Sequence, residues 1–343
     1  MDISQPPFSA LHVLRLTDVV ALRYDGLLPS EALREAGVPP HSFRRLCQDG
    51  VLHSIRHGVY VTAERWRAAD AGERYRLLVR ATALAANHQP VLSHHSAAAL
   101  HGLPIIGGWP ATVHTVTPGA SGGSRSRFTT GHHGPAPEAV ETIAGCQVTS
   151  LARTLVDVAA SSSLLVGVTM LDHALRVEQD RAERQRTERR DGQGRPTLTK
   201  ETLYRELALV NPRRGRRQAE QAIAFANPLS ANPGETLSRV RIFQLGFEVP
   251  ELQVCFPRIL GGNAYVDFWW PRVRKIGEFD GLLKYTAGPV LAGRDPGSVV
   301  WQEKQREDEL RARVNSFDRW GWDLALSPTR FHTFLTERGV PRA

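Results

Sequence analysis

Cysteine is scarce in this chain: Cys47, Cys146 and Cys255 are its three, about a hundred positions apart in 343 residues. That spacing excludes a disulfide framework and the close thiolate pairs of a structural zinc site, and it suits a reducing, cytoplasmic compartment. Long apolar runs are also missing. The longest candidates, such as Leu164 to Leu171, fall far short of the roughly 20 residues a membrane span needs. The N-terminal stretch MDISQPPFSALHVLRL has no basic start followed by an apolar segment and a small-residue cleavage site, so no signal peptide is expected. No internal repeat is visible, which excludes a solenoid or propeller. Acid is not in excess: Lys plus Arg is 43 against 35 for Asp plus Glu, a net charge of +8, and this favours an anionic partner such as nucleic acid.

Hydrophobic residues make up 41% and charged residues 23%, a composition that folds, and the length calls for more than one domain. The pattern predicts a multidomain α+β protein. Residues 1–70 carry helical patterns and then a short β-like run. Residues 75–175 alternate helical stretches (Tyr75 to Asn87, Ser93 to His101, Ser150 to Ala160) with the β-branched run Ala111 to Thr117, an α+β middle domain. Residues 176–200 carry eight basic and five acidic residues with no apolar stripe, as in a solvated helix end running into a charged linker. A helical connector at 201–231 leads to an α/β domain at 232–335.

In the first region, Pro29 to Ala36 reads as a helix, Gly37 to Pro40 as a tight turn, and His41 to Gln48 as a second helix. Val51 to Val61 follows as two short strands joined by a turn. Together these predict a winged helix-turn-helix. From His41 to Arg67 there are five basic residues to two acidic, with three histidines besides, so positive charge gathers on the second helix and the wing. Arg44 and Arg45 are candidates for base edges or phosphates of double-stranded DNA in the major groove. Arg56 and His57 are candidates for the flanking backbone or minor groove. Arg213, Arg214, Arg216 and Arg217 form a second candidate phosphate contact, four arginines within five positions.

The stretch RRLCQDGVLHSIRHGVYV, with VLSHHSAAALHGLP and VTSLARTLVD further along, resembles the N-terminal and middle regions of AbiEi-type antitoxins of type IV toxin–antitoxin systems. The resemblance covers about the first 175 residues. It implies a DNA-binding transcriptional autorepressor that counteracts a nucleotidyltransferase toxin. The histidines of the middle region add no metal site at this level: His94 and His101 lie two turns apart without the usual zinc pair spacing, and His132 and His133 read as part of a glycine-rich loop. The region is assigned no chemistry.

The strongest chemical signal lies beyond residue 232. A helix opening at Gly234 presents Glu235, with Arg239 one turn on. Three strands are expected at Gln253 to Pro257, Ala264 to Pro271 and Val273 to Asp280, and they carry Asp267, Glu278 and Asp280. Carboxylates converging from neighbouring strands suit Mg²⁺, which would offset their repulsion; Asp267 and Glu278 are the expected ligands. The order helix-Glu, strand-Asp, strand-Glu, basic helix resembles the PD-(D/E)XK, restriction-endonuclease-like fold, especially very-short-patch-repair-like endonuclease domains. That resemblance implies metal-assisted cleavage of DNA, with Asp267, Glu278, Asp280 and Glu235 as catalytic candidates. In the motif's usual form a Lys stands two residues after the Glu, where this chain has Asp280; Lys284 and Lys304 are the candidates for a displaced cation. Two functions follow: a regulator with a nuclease-like domain, or a Mg²⁺-dependent endonuclease targeted by its winged helix. A third use of the fold is as a binding platform, with the acids paired internally to Arg239, Lys304 or Arg306.

Overall fold

The computed structural model describes residues 10–118, 126–189, 197–212, 214–259, 261–281 and 296–343. The described residues form a mixed α and β architecture of 14 helices and several small sheets. They fall into two compact units. The first comprises Met1–Leu103, Gly107–Val158 and Arg205–Arg213, and the second comprises Pro104–Ile106, Ala159–Tyr204 and Arg214–Ala343.

The first unit opens with α1 (Ala10–Arg23), β1 (Leu28–Pro29), α2 (Ser30–Glu35), α3 (Ser42–Gln48), β2 (Leu52–Arg56) and β3 (Val59–Thr62). Gly37, at φ +96°, ends α2 in the left-handed conformation that a side chain resists, and the chain turns into α3. The three strands pair antiparallel in the order β1-β3-β2. Leu52 packs with Leu33, Val38, Phe43 and Leu46 of the two helices on one face of this sheet, whereas Val59 and Val61 turn the other way, into a cluster with Leu27, Leu77 and Ala81. Two capped helices follow. The Thr62 side chain accepts the Arg65 N–H at the start of α4 (Ala63–Ala68), and Asp70 accepts the Glu73 N–H at 2.7 Å at the start of α5 (Ala71–Leu84).

Next come α6 (His94–Leu100), β4 (Val113–Pro118), β5 (Thr129–Gly134), β6 (Val140–Ile143) and β7 (Cys146–Thr149). β4 and β5 pair parallel, β6 and β7 antiparallel, and Leu92 bridges to both β4 and β7. His132 and His133 therefore lie on a strand and not in a loop. Gly131 and Gly134 flank them as strand residues because β4 supplies the ladder partners, which overrides the glycines' poor intrinsic fit to a strand.

α7 (Leu151–Ser161), α8 (Leu164–Arg189), α9 (Lys200–Val210), α10 (Arg216–Phe225) and α11 (Pro233–Gln244) continue the chain. α8 carries helix through the polar stretch as far as Arg189. No described helix is long and apolar enough to cross a membrane. In the second unit a buried ion pair ties α8 to α11: Arg239 Nη2 donates to Asp172 Oδ2 at 2.7 Å, and both side chains are almost fully buried. The Thr236 hydroxyl (2.8 Å) and the Asn227 N–H (2.7 Å) also donate to Asp172.

The unit's sheet is built from β8 (Glu251–Pro257), β9 (Asn263–Trp270), β10 (Lys275–Phe279) and β11 (Ser316–Trp320) in the order β11-β10-β9-β8. The first three run antiparallel, whereas β11 lies parallel to β10, reached through the crossover helix α12 (Pro296–Arg311). α13 (Trp322–Ala325) and α14 (Pro328–Glu337) close the chain. Val266, Ile276, Leu310 and Phe317 form one buried cluster, and Phe268 stacks on Trp320 at 5.3 Å between centroids. Gly277 is required at its position, since a β-carbon there would press into the Trp320 ring and meet Trp270 at 3.1 Å. The order of elements from α11 to β11 is thus helix, three strands, helix, strand.

Candidate functional site: a basic helix and an acidic centre

On α3, buried Phe43 and Leu46 fix the helix to its core, so Arg44 and Arg45 point to solvent. Arg45 reaches Asp49 one turn on at 3.5 Å, yet the two side chains stay 83% and 56% exposed, so the pairing is weak. His57 is exposed at the β2–β3 turn. Arg56, on the same hairpin, is half-buried. Its Nη1 donates to the Thr82 carbonyl at 3.3 Å, and its guanidinium lies 5.1 Å from the Phe128 ring centroid, so it serves packing within the unit. Arg214, Arg216 and Arg217 are exposed at the start of α10, with Arg216 bonded to Glu220 at 3.0 Å; Arg213 lies outside the described residues.

The acidic centre is built from α11, β9 and β10. Asn232 caps α11, its Oδ1 accepting the Gly234 and Glu235 N–H groups at 2.9 and 3.0 Å, with Pro233 in the first turn. Glu235 turns back toward the cap: its Oε2 accepts the Ala231 N–H at 2.7 Å and its Oε1 accepts from Asn232 Nδ2 at 2.6 Å. This is a capping-box role that also holds the carboxylate in one place. Asp267, in the middle of β9, accepts the Phe279 N–H at 2.9 Å. Gln253 joins the two acids, its Nε2 lying 3.4 Å from Glu235 Oε2 and 3.2 Å from Asp267 Oδ1. It does so from a strained backbone, at φ +52° for a non-glycine residue, where the ladder passes from Leu252↔Phe268 to Val254↔Val266 without pairing it.

Glu278, on β10, is buried and faces two arginines. Arg306 Nη2 donates to its Oε1 at 2.6 Å and Arg319 Nη2 to its Oε2 at 3.1 Å. Arg319 stands directly opposite Glu278 in the parallel β10–β11 register, and Arg306 comes from α12. Burial pushes the Glu278 carboxyl up and neighbouring Asp267 adds to that, while Arg306 and Arg319 pull it down. Asp280 follows the end of β10, its N–H bonded to the Trp320 carbonyl at 2.8 Å. Lys304 is exposed on α12, and Lys284 lies outside the described residues.

Gln253 thus links Glu235 to Asp267, and Asp267 in turn bears on the charge of Glu278. Gln253 and Arg319 were missed in the sequence, since neither belongs to a recognisable motif. Arg239 neutralises Asp172 instead of Glu235, and Arg306 neutralises Glu278. As folded, the cation facing Glu278 is a pair of guanidinium groups. Among the described residues no group of three or more His, Cys, Asp or Glu is disposed to hold a metal ion.

The middle region holds an unexpected cluster. His132 Nε2 lies 3.0 Å from His114 Nδ1, the His94 ring stacks on His132 at 3.5 Å, and His95 meets His114 edge-on at 5.3 Å. His94 sits at φ +50° at the start of α6, with its Nδ1 3.0 Å from Ser93 Oγ and 3.8 Å from Asp157. Burial above all holds His94, His95 and His132 below the usual imidazole range, and burial pushes Asp157 up to about 6 despite Arg153 beside it.

No protein-family model and no curated protein matches the chain.

Proposed function

We propose that this chain is a DNA-binding regulator, with a winged helix reading double-stranded DNA and a PD-(D/E)XK-type unit downstream. One observation carries the reading: α2, the Gly37 turn, α3 and the β2–β3 hairpin follow in the order and lengths of a winged helix, with Arg44 and Arg45 exposed on its second helix. Arg56 acts as an anchor for the hairpin, leaving His57 as the wing's exposed contact. In a gel shift at moderate salt on DNA from the chain's own promoter, Arg44→Ala with Arg45→Ala weakens binding by about 1–3 kcal/mol for each base edge that the arginines read. Unchanged binding rejects α3 as the reader. The antitoxin role, with a nucleotidyltransferase toxin as partner, extends this reading on the resemblance of the first 175 residues. Its test is neutralisation of a nucleotidyltransferase encoded beside this chain.

The second reading, a Mg²⁺-dependent endonuclease, is favoured by the helix, three strands, helix, strand order and by the convergence of Glu235, Asp267 and Glu278. The residues present do not fit a divalent cation while Arg306 and Arg319 hold Glu278, so no cleavage step is derived. Incubation of the intact protein with duplex DNA in millimolar Mg²⁺ or Mn²⁺ separates the readings: cleavage that is lost in Asp267→Asn would establish the endonuclease.

A further inference from the structure

Four imidazoles meet between α6 and the paired strands β4 and β5: His94 and His95 from the helix, His114 and His132 from the strands. At 3.0 Å, His132 Nε2 and His114 Nδ1 bond only if one nitrogen carries a proton and the other does not. The pair can share one added proton, because an imidazolium still donates to a neutral neighbour. A second added proton sets N–H against N–H. His94 is stacked on the same His132 ring and held at φ +50°, a strained backbone conformation that its surroundings maintain.

The negative charge nearby is already engaged. On α7, Arg153 Nε donates to both oxygens of buried Asp157 at 3.0 Å, and Arg153 itself disfavours a further positive charge on His94. Glu206, on α9, bears on that pair, and burial pushes its own carboxyl up. Tyr75 of α5 bonds Ser96 at 2.9 Å, and burial keeps both it and Cys146 of β7 from ionising. His101, further along α6, turns its Nε2 to the Thr149 carbonyl at 2.9 Å, and His133 alternates to the other face of β5.

The strand that carries His132 also meets the wing. Phe128 directly precedes β5, its carbonyl accepting the Val113 N–H at 2.8 Å, and the Arg56 guanidinium of the β2–β3 hairpin lies 5.1 Å from its ring centroid. We infer that the four rings are a proton-operated clasp between α6 and β5, closed while they are neutral and opened by acid, and that its opening loosens the hairpin. Burial holds His94, His95 and His132 below the usual imidazole range, so protons enter with the opening and acid drives it. Once β5 moves away with Phe128, Arg56 keeps only the Thr82 carbonyl of its two contacts. The clasp goes beyond the DNA-binding reading and does not depend on it.

Hydrogen exchange of the intact chain at pH 7.5 and 5.5, read by mass spectrometry and corrected for the intrinsic effect of pH on exchange, tests this. Protection of β4 and β5 is expected to fall about tenfold for each ring that takes its proton only in the open form, and that of the β2–β3 hairpin to fall with it, both further than in α2 and α3. His132→Phe keeps a ring against His94 but takes no proton, and its loss of protection between the two pH values is about tenfold smaller. Should that variant misfold by circular dichroism, nuclear magnetic resonance of the wild-type histidine rings replaces it: the cluster's signals then change together with the loss of protection. Unchanged protection of β4 and β5 at pH 5.5, an equal loss in α2 and α3, or a folded His132→Phe with the wild-type profile overturns the clasp. A hairpin that keeps its protection while β5 opens overturns the link to the wing.

Discussion

Replacing Asp172 by Asn tests the ion pair that ties α8 to α11, with almost no change of volume. Asp172 accepts from three groups: the Asn227 N–H on Oδ1, and the Thr236 hydroxyl and Arg239 Nη2 on Oδ2. An Asn amide must place its NH₂ where one of those oxygens was, so whichever way it turns, a donor faces a donor. The negative charge is lost as well, leaving the Arg239 guanidinium 3% exposed beside a neutral group. Breaking a buried pair in this way costs about 3–5 kcal/mol, whereas replacing both members by apolar residues of similar volume is close to neutral. Urea unfolding followed by tryptophan fluorescence reads the effect, because Trp269, Trp270, Trp301, Trp320 and Trp322, five of the seven tryptophans, belong to the second unit. Asp172→Asn is expected to lower the stability of that transition by the amount given, and Asp172→Leu with Arg239→Met to recover most of it. A loss below about 1 kcal/mol in the single variant, or a double variant as unstable as both singles added, refutes the reasoning.

Acidification should destabilise the first unit. His94, His95 and His132 are held below their ordinary range when folded, chiefly by burial, so the unfolded chain takes up their protons first as the pH falls through about 6.5, and stability falls with it. Asp157 has the opposite sign: pushed up to about 6, it binds its proton first in the folded state and adds stability as the pH falls below that value. His53 is shifted the same way as these histidines and Glu206 the same way as Asp157, so four groups outweigh two and the denaturant midpoint of this unit falls between pH 7.5 and 5.5; a rise would contradict the account. Gly277→Ala drives a methyl group into the Trp320 ring edge, with Cζ3 at 2.7 Å, and is expected to cost about 1–3 kcal/mol in the second unit, measured by its thermal midpoint.

Much of the fold could be read locally. Asn232-Pro233-Gly234 marks the start of α11 because the cap and first-turn residues act within one turn of helix, and the β2–β3 hairpin follows from its short alternating strands around Gly58. The ends of elements were less legible: β10 stops at Phe279, so Asp280 lies beyond the strand expected to carry it. The acids of the centre showed because each stands in a recognisable strand or cap. Their partners did not. Arg319 is 41 positions from Glu278 and meets it only through the parallel register of β10 and β11, which no local pattern encodes. The histidine cluster was hidden for the same reason, since His114 and His132 become neighbours only once β4 and β5 pair side by side. The partner of Arg56 was no more legible, since the Thr82 carbonyl on α5 lies 26 positions away.

The left-handed kink at Gln253 has a further effect on β8, which is one of the two outer strands of its sheet. An outer strand offers a row of free backbone donors and acceptors on which a second molecule can add a strand of its own, the usual start of uncontrolled association. Such addition needs several successive residues in flat, extended geometry. A left-handed residue near the middle of a strand of seven, Glu251–Pro257, interrupts the row and leaves too few regular positions on either side. The residue that bridges two acids inside the molecule therefore also makes its outer edge a poor template, and straightening it would expose the protein to self-assembly as well as disturb the centre.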